Sequence, residues 1–116
     1  MAYFDKIKTF VITRGVASNI LAIYLAKFLI SKVIAEKEYK KDYLQIIEFS
    51  KEEDILKVSI RQEEVNEEIK ENKIEFEIKN INKILLKKFD IKKMYLIEDE
   101  EYEGQSIQTL LLPEEY

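Results

Sequence analysis

Asn19-Ile20-Leu21-Ala22-Ile23-Tyr24-Leu25-Ala26-Lys27-Phe28-Leu29-Ile30-Ser31-Lys32-Val33-Ile34-Ala35 decides how the remainder of the chain must fold. Ser18 or Asn19 offers a capping side chain, and Leu21, Leu25, Phe28 and the pair Lys32-Val33 recur at three-to-four spacing, which predicts a helix through about Ala35. Ile20, Ile23, Tyr24 and Ile30 widen its apolar stripe over most of the circumference. A helix of this kind needs cover. Its longest unbroken apolar run, Ile20 to Ala26, ends at Lys27, well short of the roughly 20 residues that a bilayer crossing takes. The expected cover is therefore a sheet built from the strands that follow.

Those strands can be read outward from the helix. Before it, Thr9-Phe10-Val11-Ile12-Thr13 is a β-branched and aromatic run that ends at Arg14-Gly15. After it, Glu36 to Asp42 is a charged linker. Tyr43 to Phe49 then carries apolar groups on both faces, as a central strand does. Ile55 to Arg61 alternates, with Leu56, Val58 and Ile60 on one side and Lys57, Ser59 and Arg61 on the other. Ile74 to Lys79 alternates in the same way, and as an edge strand it could pair with a second copy to make a homodimer. Ile81 to Phe89 fits a short helix capped by Asn80, but Ile84 to Phe89 also fits an extended strand. Met94 to Glu98 and Ser106 to Leu112 flank an acidic turn and should form a hairpin inside the sheet, closed by Pro113. The expected fold is one α+β domain over residues 1–116, with one long N-terminal helix on a mainly antiparallel sheet of about five or six strands.

Composition narrows the chemistry. The 116 residues include no cysteine and no histidine, which removes disulfides, thiolate and imidazole metal ligands, and every imidazole-based triad. A net charge of −4, from 19 basic and 23 acidic residues, is too small to drive nucleic-acid binding or mimicry, so a nucleic-acid partner is not expected. Only Arg14 and Arg61 are arginines, and the wealth of Lys, Ile, Glu and Asn reads as the residue usage of an AT-rich coding sequence. The start, Met1 to Lys6, lacks the pattern of a signal peptide, and a cytoplasmic protein is expected.

Two places carry candidate sites. The turn Thr13-Arg14-Gly15-Val16 holds one of two glycines and one of two arginines, and with Ser18 it could hold a phosphate or carboxylate. The plainer reading gives Gly15 a positive φ and pairs Arg14 with a surface glutamate. No second glycine or Lys-Ser/Thr pair makes it a P-loop. The acidic tip, Glu98-Asp99-Glu100-Glu101-Tyr102-Glu103, is a candidate partner surface through Glu98, Asp99, Glu100, Glu101 and Glu103. Crowded like charges are more simply a solvated tip that protects a sheet edge, and no EF-hand spacing supports a metal. Glu63, Glu64, Glu67, Glu68 and Glu71 could extend an acidic face, but Lys70 and Lys73 dilute it. Glu77-Ile78-Lys79 has the form of a nuclease strand, yet the same triplet recurs at Glu38/Lys40, Glu68/Lys70 and Glu71/Lys73, as abundant Glu and Lys would produce by chance. Tyr43, Tyr95 and Tyr102 read as strand packing, because no aromatic-basic RNA motif accompanies them. No cofactor and no metal is expected.

The order of Phe10-Val11-Ile12-Thr13-Arg14-Gly15-Val16, Asp42-Tyr43-Leu44-Gln45-Ile46, Arg61-Gln62-Glu63 and Leu110-Leu111-Leu112-Pro113-Glu114-Glu115-Tyr116 resembles the family of small proteins from low-GC Gram-positive bacteria and their phages catalogued as domain of unknown function nine-sixty. The resemblance covers most of the chain. The Glu-rich tip stands where relatives carry an Asp-Gly style turn, and Asn80 to Phe89 is an insertion. The resemblance brings no catalytic residues, but its setting includes mobile elements. The leading expectation is a non-enzymatic interaction module of phage or mobile-element type, such as an anti-CRISPR-like inhibitor of host defence, with a protein partner. Binding of a small anion or nucleotide at the Arg14-Gly15 turn comes second, and a carboxylate-metal hydrolase third.

Overall fold

A computed structural model describes residues 3–63, 72–100 and 105–116. It shows an α+β protein with a six-stranded, mostly antiparallel sheet. In chain order the elements are β1 (Thr9–Ile12), α1 (Arg14–Ala17), α2 (Ile20–Ala35), β2 (Leu44–Glu52), β3 (Ile55–Arg61), β4 (Lys73–Ile78), α3 (Lys83–Lys88), β5 (Lys93–Glu100) and β6 (Ser106–Leu111), followed by a 3₁₀ turn over Pro113–Glu115. The strand order is β1-β6-β5-β2-β3-β4.

The long helix begins where Asn19 caps it, with the Asn19 side chain accepting from the Ala22 N–H at 3.1 Å. It ends over a buried cation: the Lys41 ammonium donates to the carbonyls of Val33 and Ile34, and to that of Phe4. An ammonium against the last turn satisfies carbonyls that the helix leaves open and opposes its dipole. Burial of Lys41, more than any neighbouring charge, pulls its pKa down. Leu21, Ala22, Leu25, Ala26, Leu29, Ile30 and Val33 face inward and join one core with Ile47, Phe49, Leu56, Val58, Ile60, Met94, Leu96 and Leu110 from the sheet. Each large side chain buried this way contributes about 1.5–3 kcal/mol from apolar burial.

Pairing follows the alternation of the strands. Ile47 is opposite both Ile60 and Met94, and Leu96 is opposite Leu110, so these residues share the helix-covered face. On the other face, Leu44, Ile46, Ile97 and Leu111 form a second, smaller cluster beside Tyr95. The β5–β6 hairpin lies inside the sheet as its apolar strands require. It does not supply the edge, because β1 adds to β6 in parallel, with Thr9 opposite Ile107 and Ile12 opposite Leu110. The Thr13 N–H extends that ladder to the Leu110 carbonyl at 3.0 Å. β4 is an edge strand, as expected for Ile74 to Lys79.

Two local expectations need correction. The short helix is real, but Asn82 caps it, accepting from the N–H groups of Ile84 and Leu85, while Asn80 takes a left-handed φ of 60°. Gly15 lies within α1 and has no positive φ, so its role is not conformational.

Candidate functional site

The strand-to-helix turn already holds an anion, and it belongs to the chain. The Glu115 carboxylate accepts from the Thr13 hydroxyl at 2.6 Å, the Gly15 N–H at 3.1 Å and the Leu112 N–H at 2.9 Å. Thr13, Leu112 and Gly15 thereby hold the Glu115 carboxyl below its ordinary pKa, the Thr13 hydroxyl most of all, against a smaller opposing effect of desolvation. A Cβ on Gly15 would stand 2.5 Å from Glu115 Oε1 and 2.7 Å from Leu112 Cδ1. A side chain at this position would therefore displace the Glu115 carboxylate and the Leu112 side chain, which pack onto the Gly15 backbone. Ser18 donates to the Gly15 carbonyl at 2.7 Å. Arg14 is exposed and has no ion pair among the described residues, so the expected pairing with a surface glutamate is not found there.

A cleft of about 710 Å³ opens beside this turn. Gly15 and Ser18 line it, together with Asn19, Lys88, Asp90 to Lys93, Leu112, Pro113 and Glu114. Thr13 and Arg14 do not. Sequence reading missed Lys88, Lys92 and Lys93, because only the chain's return from α3 into β5 carries them to the start of α2. Asn19 marks that approach, donating to the Lys88 carbonyl at 3.3 Å.

The acidic tip divides. Glu98 is 2% exposed and lies on the helix-covered face of β5. Its carboxylate accepts from Gln108 Nε2 at 2.7 Å and the Phe4 N–H at 3.2 Å, and stands 3.3 Å from the Lys8 ammonium. Gln108 in turn joins Lys6 and Lys8 backbone groups at 3.0 Å. Glu98 is thus a buried anchor for the N-terminal segment, which corrects its place among the partner-binding candidates. Met94-x-Leu96-x-Glu98 alternation carried that signal, and the run of acids hid it. Asp99 is exposed, and Glu100 ends β5. Glu101, Tyr102 and Glu103 lie outside the described residues, as do Glu64, Glu67, Glu68, Lys70 and Glu71. Among the described residues, no three carboxylates converge as a metal site would need.

The outward side of α2 is the surface least expected from a helix assigned to the core. Ile20, Ile23, Tyr24 and Phe28 are 58, 46, 72 and 42% exposed. Phe28 meets Phe76 of β4 edge-on at 5.6 Å, and the Lys32 ammonium lies over both rings at 5.3 and 5.1 Å. The charges carried by α2 are Lys27 and Lys32 alone. Tyr39, in the linker after α2, buries a hydroxyl that has no hydrogen-bond partner among the described residues, and burial, reinforced by the Glu36 charge, pushes its pKa up to about 12. Among the described residues, no helix is long and apolar enough to cross a membrane.

These features define a mixed-sheet α+β protein with one helix-covered face and an apolar, cationic stripe on the outside of its main helix. No family model matches the chain, and neither does any curated protein. A crystal structure of a protein of unknown function from Enterococcus faecalis is similar over 100% of this chain and 97% of that one, with a TM-score of 0.67 and 14% identity. That likeness is one of fold.

Proposed function

We propose that the chain is a non-enzymatic protein-interaction module of phage or mobile-element type, acting in the cytoplasm on a host or phage protein, and that it docks through the outer face of α2. One observation carries this reading. Four large apolar side chains, Ile20, Ile23, Tyr24 and Phe28, are exposed together on one helix, and a contiguous apolar patch of this kind is the mark of an interaction surface. Lys27 and Lys32, without any acidic residue on α2, set the sign of the complement. The partner presents an apolar strip flanked by carboxylates. The phage or mobile-element setting rests on the family resemblance, and inhibition of a defence effector is the activity that fits it.

A photocrosslinking side chain placed at Tyr24, with a second placed at Asp99 for comparison, tests the reading in lysate of the source cells. One dominant protein adduct is expected from position 24, absent when Ile23→Glu is added. Adducts from position 99 alone would move the docking surface to the acidic tip. Adducts with lipid at position 24 would replace the protein partner by an anionic membrane surface.

A further inference from the structure

We propose that the cleft between the start of α2, the end of α3 and the C-terminal turn binds a phosphate-bearing small molecule, independently of docking through α2. Its volume of about 710 Å³ falls within the ~300–1,000 Å³ usual for small-ligand sites. Lys88, Lys92 and Lys93 line it. Lys93 already acts on Glu48, helping to hold that carboxyl below its ordinary pKa after the larger effect of Arg61. Lys88 and Lys92 are exposed and form no ion pair or side-chain hydrogen bond among the described residues, so their charges are available to a ligand. The phosphate is held by these ammonium groups, because the Gly15 amide beside them is filled by Glu115.

The remaining walls say what else the ligand carries. Ile91, Leu112 and Pro113 offer apolar surface, while Asp90 and Glu114 add carboxylates. Two carboxylates repel a bare polyanion but accept hydrogen bonds from hydroxyl groups. A sugar or nucleoside phosphate meets all three kinds of wall: phosphate to lysine, hydroxyls to carboxylate, ring to the apolar side.

Amide NMR titration of the whole protein with ADP, and separately with adenosine, tests the assignment. ADP should give saturable shifts at Ser18, Asn19, Ile91 and Lys92, and adenosine should bind far more weakly. Lys88→Ala combined with Lys92→Ala should weaken ADP by about tenfold or more. Both lysines are exposed, so an unchanged amide spectrum elsewhere verifies the fold of the double variant, and Lys88→Gln with Lys92→Gln serves if it does not. Absence of saturable shifts at millimolar ADP overturns the proposal. So do equal binding of adenosine, full ADP binding by the double variant, or shifts that map to another surface.

Discussion

Replacing Gly15 by alanine pits two effects of opposite sign against each other. Gly15 lies in helical backbone, where alanine is favoured by about 0.8–1.0 kcal/mol. Its new Cβ would also stand 2.5 Å from Glu115 Oε1, 2.8 Å from Glu115 Cδ and 2.7 Å from Leu112 Cδ1. The carboxylate must then leave the Thr13 hydroxyl and the Gly15 N–H. Hydrogen bonds to charged groups contribute about 1.5–3 kcal/mol each, and solvent exposure at this site reduces the pair to about 2 kcal/mol in total. Displacing Leu112 adds about 1 kcal/mol of overpacking. The net expectation is a destabilisation of about 2 kcal/mol, because the clash outweighs the helix propensity. In a Glu115→Ala background the carboxylate is already gone, and the same Gly15→Ala change should be close to neutral. Urea unfolding of the four proteins of this double-mutant cycle measures the difference, which should be about 1–2 kcal/mol of coupling. Gly15→Ala stabilising the otherwise unaltered chain, or costing the same in both backgrounds, would refute the packing of the C-terminal turn on α1.

Other perturbations have equally definite signs. Glu98→Ala should cost about 3 kcal/mol in urea unfolding, since it leaves the buried Phe4 N–H without its acceptor and takes one partner each from Gln108 and the Lys8 ammonium, whereas Asp99→Ala should stay within about 0.5 kcal/mol. Glu53 turns the β2–β3 hairpin with a φ of 56°, so Glu53→Gly should stabilise by about 0.5 kcal/mol as the left-handed strain is relieved, a rise visible in the melting temperature. The depressed pKa of Glu115 means that its contribution is present above the ordinary carboxylate range and lost as pH falls through the folded-state value. Acid unfolding followed by circular dichroism should therefore show a weaker pH dependence in Glu115→Gln.

Local patterns made most of this fold legible. Asn19 and the apolar spacing after it place α2, and the strict alternation of β3 and β4 gives both their extent and their covered faces. Non-local pairing was beyond such patterns: nothing in Thr9 to Ile12 says that the first strand will run parallel to the last, because that choice is made by the packing of α2 across the sheet. Asn80 and Asn82 illustrate a second barrier. Asparagine suits both a left-handed turn and an N-cap, so sequence alone cannot assign which residue does which. At the candidate sites, the residues of the turn at Thr13 to Gly15 suggest a place for an anion, but nothing local shows that the carboxylate accepting from them is a hundred residues away in Glu115. The lysines of the adjoining cleft are separated from it in the chain in the same manner.

The outer face of α2 separates what folding needs from what it does not. Covering the sheet uses Leu21, Leu25, Leu29, Ile30 and Val33 with the small Ala22 and Ala26, all on the inner arc. Ile23 and Tyr24 lie outside that arc and add little to the core. Glutamate at position 23 would pair with Lys27 four residues on, a gain of about 0.2–0.5 kcal/mol, and it is also a better helix former than isoleucine. Ile23→Glu should accordingly leave the melting temperature unchanged or slightly raised while abolishing the adduct formed from position 24. Folding stability alone therefore gives little reason for isoleucine at this position; the docking proposed above would supply one. A marked loss of stability in Ile23→Glu would show instead that this side chain belongs to the core, and the interaction surface would have to be sought elsewhere on the molecule.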